Sequence, residues 1–340
     1  MKLKDLSDLL GLSQTTVSRA LNGYPEVSEK TRRRVADAAR ANKYSPSQNA
    51  RGLATGKAGA IGHIIPLGKH RMINPHFSDF IAGAGQTYAK LGLDIVMSIA
   101  DQENELKTYT RLARSKRVDG FILQGPLVDD PRLEALNELD VPFVVHGRIS
   151  EDHGADYSWL DVNNIDAFDR ATQYLLDLGH RDIALLNGLE HMNFAAFRRA
   201  GFEAAMARSG AEIHAGFMFS QDMSEHYGYE ATMVLLTRSG PKPTAILTSS
   251  KLIASGCQRA IAELGLTIGR DISVLTFDDN FGFFGTHAVV PNITCVRSSL
   301  FDAGVRVAEM IAQRIENPDQ PPHHELWEAE LIVGKSTGPI

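Results

Sequence analysis

The sequence predicts an α/β protein in two unequal parts, a small basic helical head and a large acidic body of alternating strands and helices. Residues 1–57 hold eleven Lys and Arg against five acids, a balance of +6; with a net charge of −6 overall, the remaining 283 residues carry −12. Helical periodicity fills the first sixth, whereas from residue 60 onward short apolar runs alternate with amphipathic stretches, the pattern of parallel strands with helical crossovers. A chain of 340 residues suits about two domains and an appendage, with a core large enough to need no disulfide or structural metal. No run approaches the roughly 18 apolar residues of a membrane span. Residues 1–5 lead into a polar amphipathic pattern and not a signal-peptide core. Cys257 and Cys295 are too few for a disulfide framework or a zinc cluster. A soluble chain in a reducing cytoplasm is therefore expected.

The head reads as three short helices. Leu3, Leu6, Leu9 and Leu10 share one face of residues 2–10. Gly11 suits the left-handed position that ends a helix, and Ser13 caps the next, over 14–21. In that helix Val17, Ala20 and Leu21 turn inward. Gln14, Thr15, Ser18 and Arg19 turn outward, with side chains able to reach base edges or phosphates. Asn22-Gly23-Tyr24-Pro25 makes a turn, and Ser28 caps a third helix over about 29–42 that carries Arg32, Arg33 and Arg34 at its start. Two short helices joined by a tight glycine turn form the DNA-binding helix-turn-helix. On this pattern alone any small helical bundle also fits, and the basic charge also suits a solvated face.

In the body the strand candidates are 60–66, 93–100, 120–124, 142–147, 159–162, 183–188, 245–248, 272–277 and 294–297. Helical stretches over 77–91, 165–178, 195–209 and 251–264 fall between them. Such alternation argues for parallel sheets with right-handed crossovers. Ligands of open α/β sheets bind beyond the carboxyl ends of the strands. That rule points to Gln124, whose amide both donates and accepts, and to Asn74-Pro75-His76-Phe77, where His76 or Phe77 can form an apolar wall against a bound ring. Phe77 also reads as ordinary core, and Trp159 as a buried tryptophan.

The run Leu12-Ser13-Gln14-Thr15-Thr16-Val17-Ser18-Arg19-Ala20-Leu21-Asn22-Gly23 resembles the signature of the lactose/galactose-repressor (LacI/GalR) family of bacterial transcriptional regulators. Val27-Ser28-Glu29-Lys30-Thr31-Arg32 and Tyr44-Ser45-Pro46-Ser47 match it in register. Further on, Pro142-Phe143-Val144-Val145-His146-Gly147-Arg148, Gly179-His180-Arg181, Arg198-Arg199-Ala200-Gly201-Phe202 and Phe277-Asp278-Asp279 resemble the family's core, so the resemblance spans essentially the whole chain. It implies a helix-turn-helix headpiece over 1–45, a hinge helix or linker over 46–58, and a two-lobed core over 59–340 like that of periplasmic sugar-binding proteins. The first lobe would take about 59–159 and 292–322, the second about 160–290 and 323–340. Residues 47–56 alone are too short and glycine-rich for a stable helix, so a flexible tether also fits them.

The resemblance further implies contacts. Gln14, Thr15 and Arg19 would read bases, Leu53 would wedge into the minor groove, and Ser13, Thr16, Ser18, Asn22, Ser28, Thr31 and Tyr44 would touch the backbone. The partners would be a pseudo-palindromic duplex operator, a second copy of the chain, and a small effector, most simply a mono- or disaccharide. Phe77, Gln124, Arg198, Ser250 and Asp278 would hold that effector in the cleft, Arg198 through its forked donors. As bland readings, Arg198 is a surface arginine and Asp278 a helix cap. The family usually carries Asn-Asp where this chain has Ser250-Lys251, so no relative's effector transfers directly. No leucine heptad follows 331–333, which suits a dimer.

Enzyme chemistry finds little support. Val333-Gly334-Lys335-Ser336 resembles the end of a phosphate-binding loop, but Ala329 stands where its first glycine belongs. There is no Gly-x-Ser-x-Gly elbow and no His-Glu-x-x-His. His323-His324 reads as a solvated, Pro-rich turn. No cofactor or metal is expected. A regulator, a repressor as the resemblance implies, is set against a periplasmic-type sugar-binding protein, which the basic head disfavours, and against an activator or a regulator with a non-sugar effector.

Overall fold

The computed structural model describes residues 1–44, 56–66, 75–101, 103–149, 156–280 and 293–340. It separates into two compact units, Met1–Gly59 and Ala60–Ile340. The hinge segment 46–55 with Leu53, and Asn74, lie outside the described residues.

In the first unit α1 (Leu3–Leu10), α2 (Gln14–Leu21) and α3 (Glu29–Ala41) form where the caps direct. Gly11 takes φ 63° and closes α1 with its N–H on Asp8 and Ser7 carbonyls. Ser13 Oγ accepts from Thr16 N at 3.1 Å, and Ser28 Oγ from Thr31 N at 3.3 Å. Leu6, Leu10, Val17, Ala20, Val27, Val35 and Ala39 make the core. Leu9 departs from the expectation, being 59% exposed. The buried face of α1 is centred on Leu3, Leu6 and Leu10, and Ser7 takes its other edge by donating its hydroxyl to the Lys4 carbonyl at 2.7 Å. Arg34 reaches the last turn of α1 and donates from Nη2 to the Leu10 carbonyl at 3.0 Å, a cation where the helix dipole favours one.

The second unit runs β1 (Ala60–Pro66), α4 (Pro75–Leu91), β2 (Asp94–Ala100), α5 (Glu105–Arg114), β3 (Gly120–Gln124), α6 (Pro131–Glu138), β4 (Phe143–His146) and β5 (Ser158–Val162). It continues through α7 (Asn164–Asp177), β6 (Ile183–Asn187), α8 (Asn193–Ser209), β7 (Met218–Ser220), α9 (Glu225–Thr237), β8 (Ala245–Thr248), α10 (Lys251–Glu263) and β9 (Ser273–Asp278). It ends with β10 (Thr294–Arg297), α11 (Leu300–Glu316), β11 (His324–Trp327) and β12 (Glu330–Ile332). Two six-stranded sheets result, ordered β11-β5-β4-β3-β1-β2 and β12-β10-β9-β8-β6-β7. Every pairing is parallel except β10 with β12. The central strands are buried on both faces, which is why they read as unbroken apolar runs.

The chain therefore passes between lobes three times, at Asn163, at Ser298-Ser299 and at Glu328-Ala329. This corrects the expected lobe boundaries. Thr294–Arg297 pairs with β9 in the second sheet, and α11, which follows, packs on α4, β3 and β4 of the first. His324–Trp327 pairs with β5 in the first sheet, so the stretch read as a solvated turn at His324 is an edge strand. There the His324 ring stacks on Trp159 at 5.0 Å and Nε2 lies 3.1 Å from the Tyr157 carbonyl oxygen. Such a short, half-buried edge strand has too few apolar residues to show a period.

Candidate functional site

On α2 the side chains of Gln14, Thr15 and Arg19 are exposed, and the Arg19 guanidinium has no hydrogen-bond or ion-pair partner among the described residues. Other head arginines are spent locally: Arg32 and Arg33 both hold Glu29, whose carboxyl the Arg33 contact and then Arg32 keep below its ordinary range. Among the residues expected at phosphates, Ser13 and Thr16 share a hydroxyl contact at 2.8 Å, and Ser28 and Thr31 one at 2.9 Å. Asn22 Nδ2 donates to the Ser18 carbonyl at 2.9 Å. Ser18 is half-buried on α2, and Tyr44 is half-buried against the head's core. The Ser13, Ser28 and Asn22 contacts are the caps of α2 and α3, so the same groups also shape the helix ends.

Between the two lobes of the second unit lies a cavity of about 450 Å³. Strand ends supply its floor, as the rule for open sheets requires. Of the expected effector residues, Phe77, Gln124 and Arg198 line it. Gln124 closes β3 with a side-chain amide that has no protein partner among the described residues. Arg198 sits deep on α8, 5% exposed. Gly201 puts it there: a Cβ at that position would meet the Ile165 carbonyl at 2.1 Å, so only glycine lets α8 lie this close to α7. One turn earlier, Arg198 Nε then donates to Asn164 Oδ1 at 2.8 Å and Nη1 to the Ser249 carbonyl at 2.6 Å. Its guanidinium carbon lies 3.8 Å from the Phe277 ring centre. Burial brings this guanidinium down to about 10, with Asp279 and then Asp161 opposing, so it is cationic at neutral pH.

Two expected residues are placed elsewhere. Ser250 caps α10, its Oγ accepting from Leu252 N at 3.2 Å, and among the described residues meets the cleft lining at His76 Nε2, 3.3 Å away. Asp278 is wholly buried away from the cavity, where Oδ2 takes Lys251 Nζ at 3.0 Å and Arg297 Nη2 at 2.9 Å. The next residue, Asp279, is the one that lines the cleft, because successive side chains at a strand end point to opposite sides. Lys251 is thus the partner of a structural carboxylate. Asp278→Asn is expected to lower thermal stability by about 1–3 kcal/mol through the stranded Lys251 and Arg297 charges, while leaving the affinity for any cleft ligand unchanged; calorimetry of melting and binding on the same sample checks both halves.

Sequence reasoning did not nominate His146, Arg148, Asp161 or Asp279, which all line the cavity. His146 follows β4's apolar run and packs on Phe80 with ring centres 4.8 Å apart; burial holds it down at about 4, so it is neutral. Arg148 and Asp161 pair at 3.1 Å. The strand-end rule applied to 142–147 and 159–162 as it was to 120–124 points at these residues. Contacts also cross the cleft. His76 Nε2 lies 3.0 Å from Asp279 Oδ2, Val128 N donates to the His191 carbonyl at 3.1 Å, and Asn193 Nδ2 to the Leu127 carbonyl at 2.9 Å. The loop carrying Leu127 is pinned by buried Arg132, which donates to Asp130, Glu105 and the Gly125 carbonyl. Among the described residues no group of three or more His, Cys, Asp or Glu could hold a metal, and no helix is long and apolar enough to cross a membrane.

A helix-turn-helix unit followed by a two-lobed α/β unit with a polar cleft is the build of a ligand-responsive transcriptional regulator. The family described as periplasmic binding proteins and sugar binding domain of LacI family matches residues 58–330, and bacterial regulatory proteins, lacI family, matches 2–47. The HTH-type transcriptional regulator AglR of Rhizobium meliloti (strain 1021) is 43% identical over 339 residues, covering 100% of this chain and 95% of that protein. RafR of Escherichia coli is 34% identical over 279 residues, 82% of each chain. The Lac repressor dimer bound to operator and the anti-inducer ONPF superposes with a TM-score of 0.85 at 26% identity over 99% of both chains. A complex of the transcriptional regulator CelR with cellobiose gives 0.72 at 26% identity, again over 99% of both. The chain belongs to the LacI family and is a DNA-binding transcriptional regulator, as its relatives are; they are not enzymes.

Proposed function

We propose that the chain is a homodimeric repressor of a carbohydrate uptake or catabolism operon, whose grip on a pseudo-palindromic operator is set by a neutral mono- or disaccharide in the cleft. The make-up of the cavity carries this reading. Its acids, Glu105, Asp161, Asp222 and Asp279, nearly balance its arginines, Arg132, Arg148 and Arg198, and the walls are aromatic and aliphatic, among them Phe77, Phe194 and Phe277. Balanced charge with flat apolar walls suits hydroxyl-rich rings and disfavours phosphorylated or acidic ligands. The cellobiose held by CelR is of this kind. Gln124, Arg198 and Asp279 would hold hydroxyls, with Phe77 against a ring face. Exposed Met97 (55%) and Ile99 (47%) on edge strand β2 support a second copy as partner.

In this reading effector binding changes the angle between lobes, and Leu53 and the hinge segment transmit it to the paired heads. A coupling of roughly 1–3 kcal/mol changes operator occupancy five- to 150-fold. Fluorescence anisotropy on the protein's own promoter DNA, at stated salt and with a panel of mono- and disaccharides, tests it. Selective binding that one sugar weakens is expected; a sugar that strengthens it would make the effector a co-repressor, and indifference to all sugars would reject the sugar. In the same assay Arg19→Ala is expected to weaken selective binding by about 1–3 kcal/mol and blur discrimination at one base pair. Unchanged selectivity would remove Arg19 from the reading surface.

A further inference from the structure

We propose that Asp161 is a positioning residue of the cleft: it anchors Arg148 by one nitrogen so that the rest of the guanidinium fork faces the effector, and its ionisation sets effector affinity. The proposal rests on the sugar-binding reading above. Asp161 lies near the end of β5, buried at the cavity floor. Its Oδ2 takes Arg148 Nε at 3.1 Å, and its Oδ1 lies 3.4 Å from Asn164 Nδ2. Arg148 is itself 5% exposed, with its guanidinium carbon 5.2 Å from the Phe197 ring centre and 5.9 Å from that of Trp159.

The way this arginine spends its donors is unlike its neighbour's. Arg132 engages Nε, Nη1 and Nη2 with protein acceptors. Arg148 engages Nε alone, and among the described residues neither Nη has a hydrogen-bond partner. An ion pair built for rigidity offers the carboxylate two prongs of the fork. Here the prongs are left over and open to the cavity, where a ligand or water takes them. Vicinal hydroxyls match that spacing.

Burial pushes the Asp161 carboxyl up to about 6 against the pull of Arg148 and Arg198. Above that pH the carboxylate holds Arg148; as pH falls through it, protonation removes the anchor and the effector loses an oriented donor pair. Other groups face the same space. His146 on β4 is held near 4, and Arg198, Asp279 and His76 line the cavity, while Glu325 of β11 pairs with Arg306 on the opposite face of the sheet, the side of Leu160. Any histidine contribution persists when Asp161 is replaced, which separates the two.

Isothermal titration of the full chain with maltose, cellobiose, trehalose and sucrose between pH 5.5 and 8 tests the proposal. For the sugar that binds, Kd is expected to rise several-fold between pH 7.5 and 5.5. Asp161→Asn should bind about tenfold more weakly at pH 7.5, with a flat profile, and with sugar-free operator affinity intact to show that it is folded. Should that variant not fold, the wild-type profile and Arg148→Lys, which lacks the fork and should also lose affinity, decide. A flat wild-type profile, or an Asn variant matching wild type in Kd and slope, overturns the role of Asp161 and leaves sugar binding standing. A wild-type chain that binds none of the four, nor any sugar of the mono- and disaccharide panel above, overturns both readings.

Discussion

Replacing Arg198 with alanine is expected to abolish the response to effector while leaving operator binding at wild-type strength. The side chain is a buried cation of the cleft, wedged among Phe168, Phe194 and Phe277. Truncation strips the effector of its guanidinium and leaves Asn164 Oδ1 and the Ser249 carbonyl short of a donor. Losing a buried, hydrogen-bonded charge typically costs 2–5 kcal/mol of binding, so a fall in sugar affinity of about 100-fold or more is expected. The variant should repress normally and fail to be relieved. Lysine should not rescue it, since one ammonium cannot serve both acceptors and a ligand in a planar fork. A titration showing wild-type affinity for either variant would place the effector elsewhere.

The second large effect is in the head. Leu6 is fully buried in a cluster with six other small-to-medium apolar side chains. Leu→Ala in such a site costs about 2–5 kcal/mol. At roughly 0.05–0.15 kcal/mol per residue, a unit of this size has little more than that in total. Leu6→Ala is therefore expected to unfold the head and remove operator binding altogether. Residues 60–340 have their own clusters of buried residues, so sugar binding and the main thermal transition should be untouched. Loss of both activities would mean that the two units do not fold separately.

What could be read from the sequence follows the range of the interactions involved. Gly11, Ser13 and Ser28 act within a turn of themselves, and so the head's helices are legible to within a residue or two. The central strands are legible because burial on both faces leaves an apolar run. β7 and β11 are not, being edges of three and four residues, too short for a period to show. Asp278 and Asp279 are indistinguishable until the phase of β9 is set, and that phase is a tertiary fact. Arg148, two residues past β4, and Asp161, on β5, stand 13 residues apart and become partners only once β4 and β5 pair. Short-range chemistry is written locally, whereas a cleft is assembled from strand ends that meet late.

The three crossings between lobes lie side by side: Asn163 of the first accepts nothing from afar but donates, N–H to the Trp327 carbonyl at 2.8 Å and Nδ2 to Glu328 Oε1 at 2.9 Å, tying itself to the third. A door hung on one knuckle can swing, sag and twist; hung on three in a row it can only swing. The body is thereby given one natural hinge axis, and a ligand bridging the cleft would act on the angle about it. Ligands of quite different shape would then be compared on one scale, by how far they turn it.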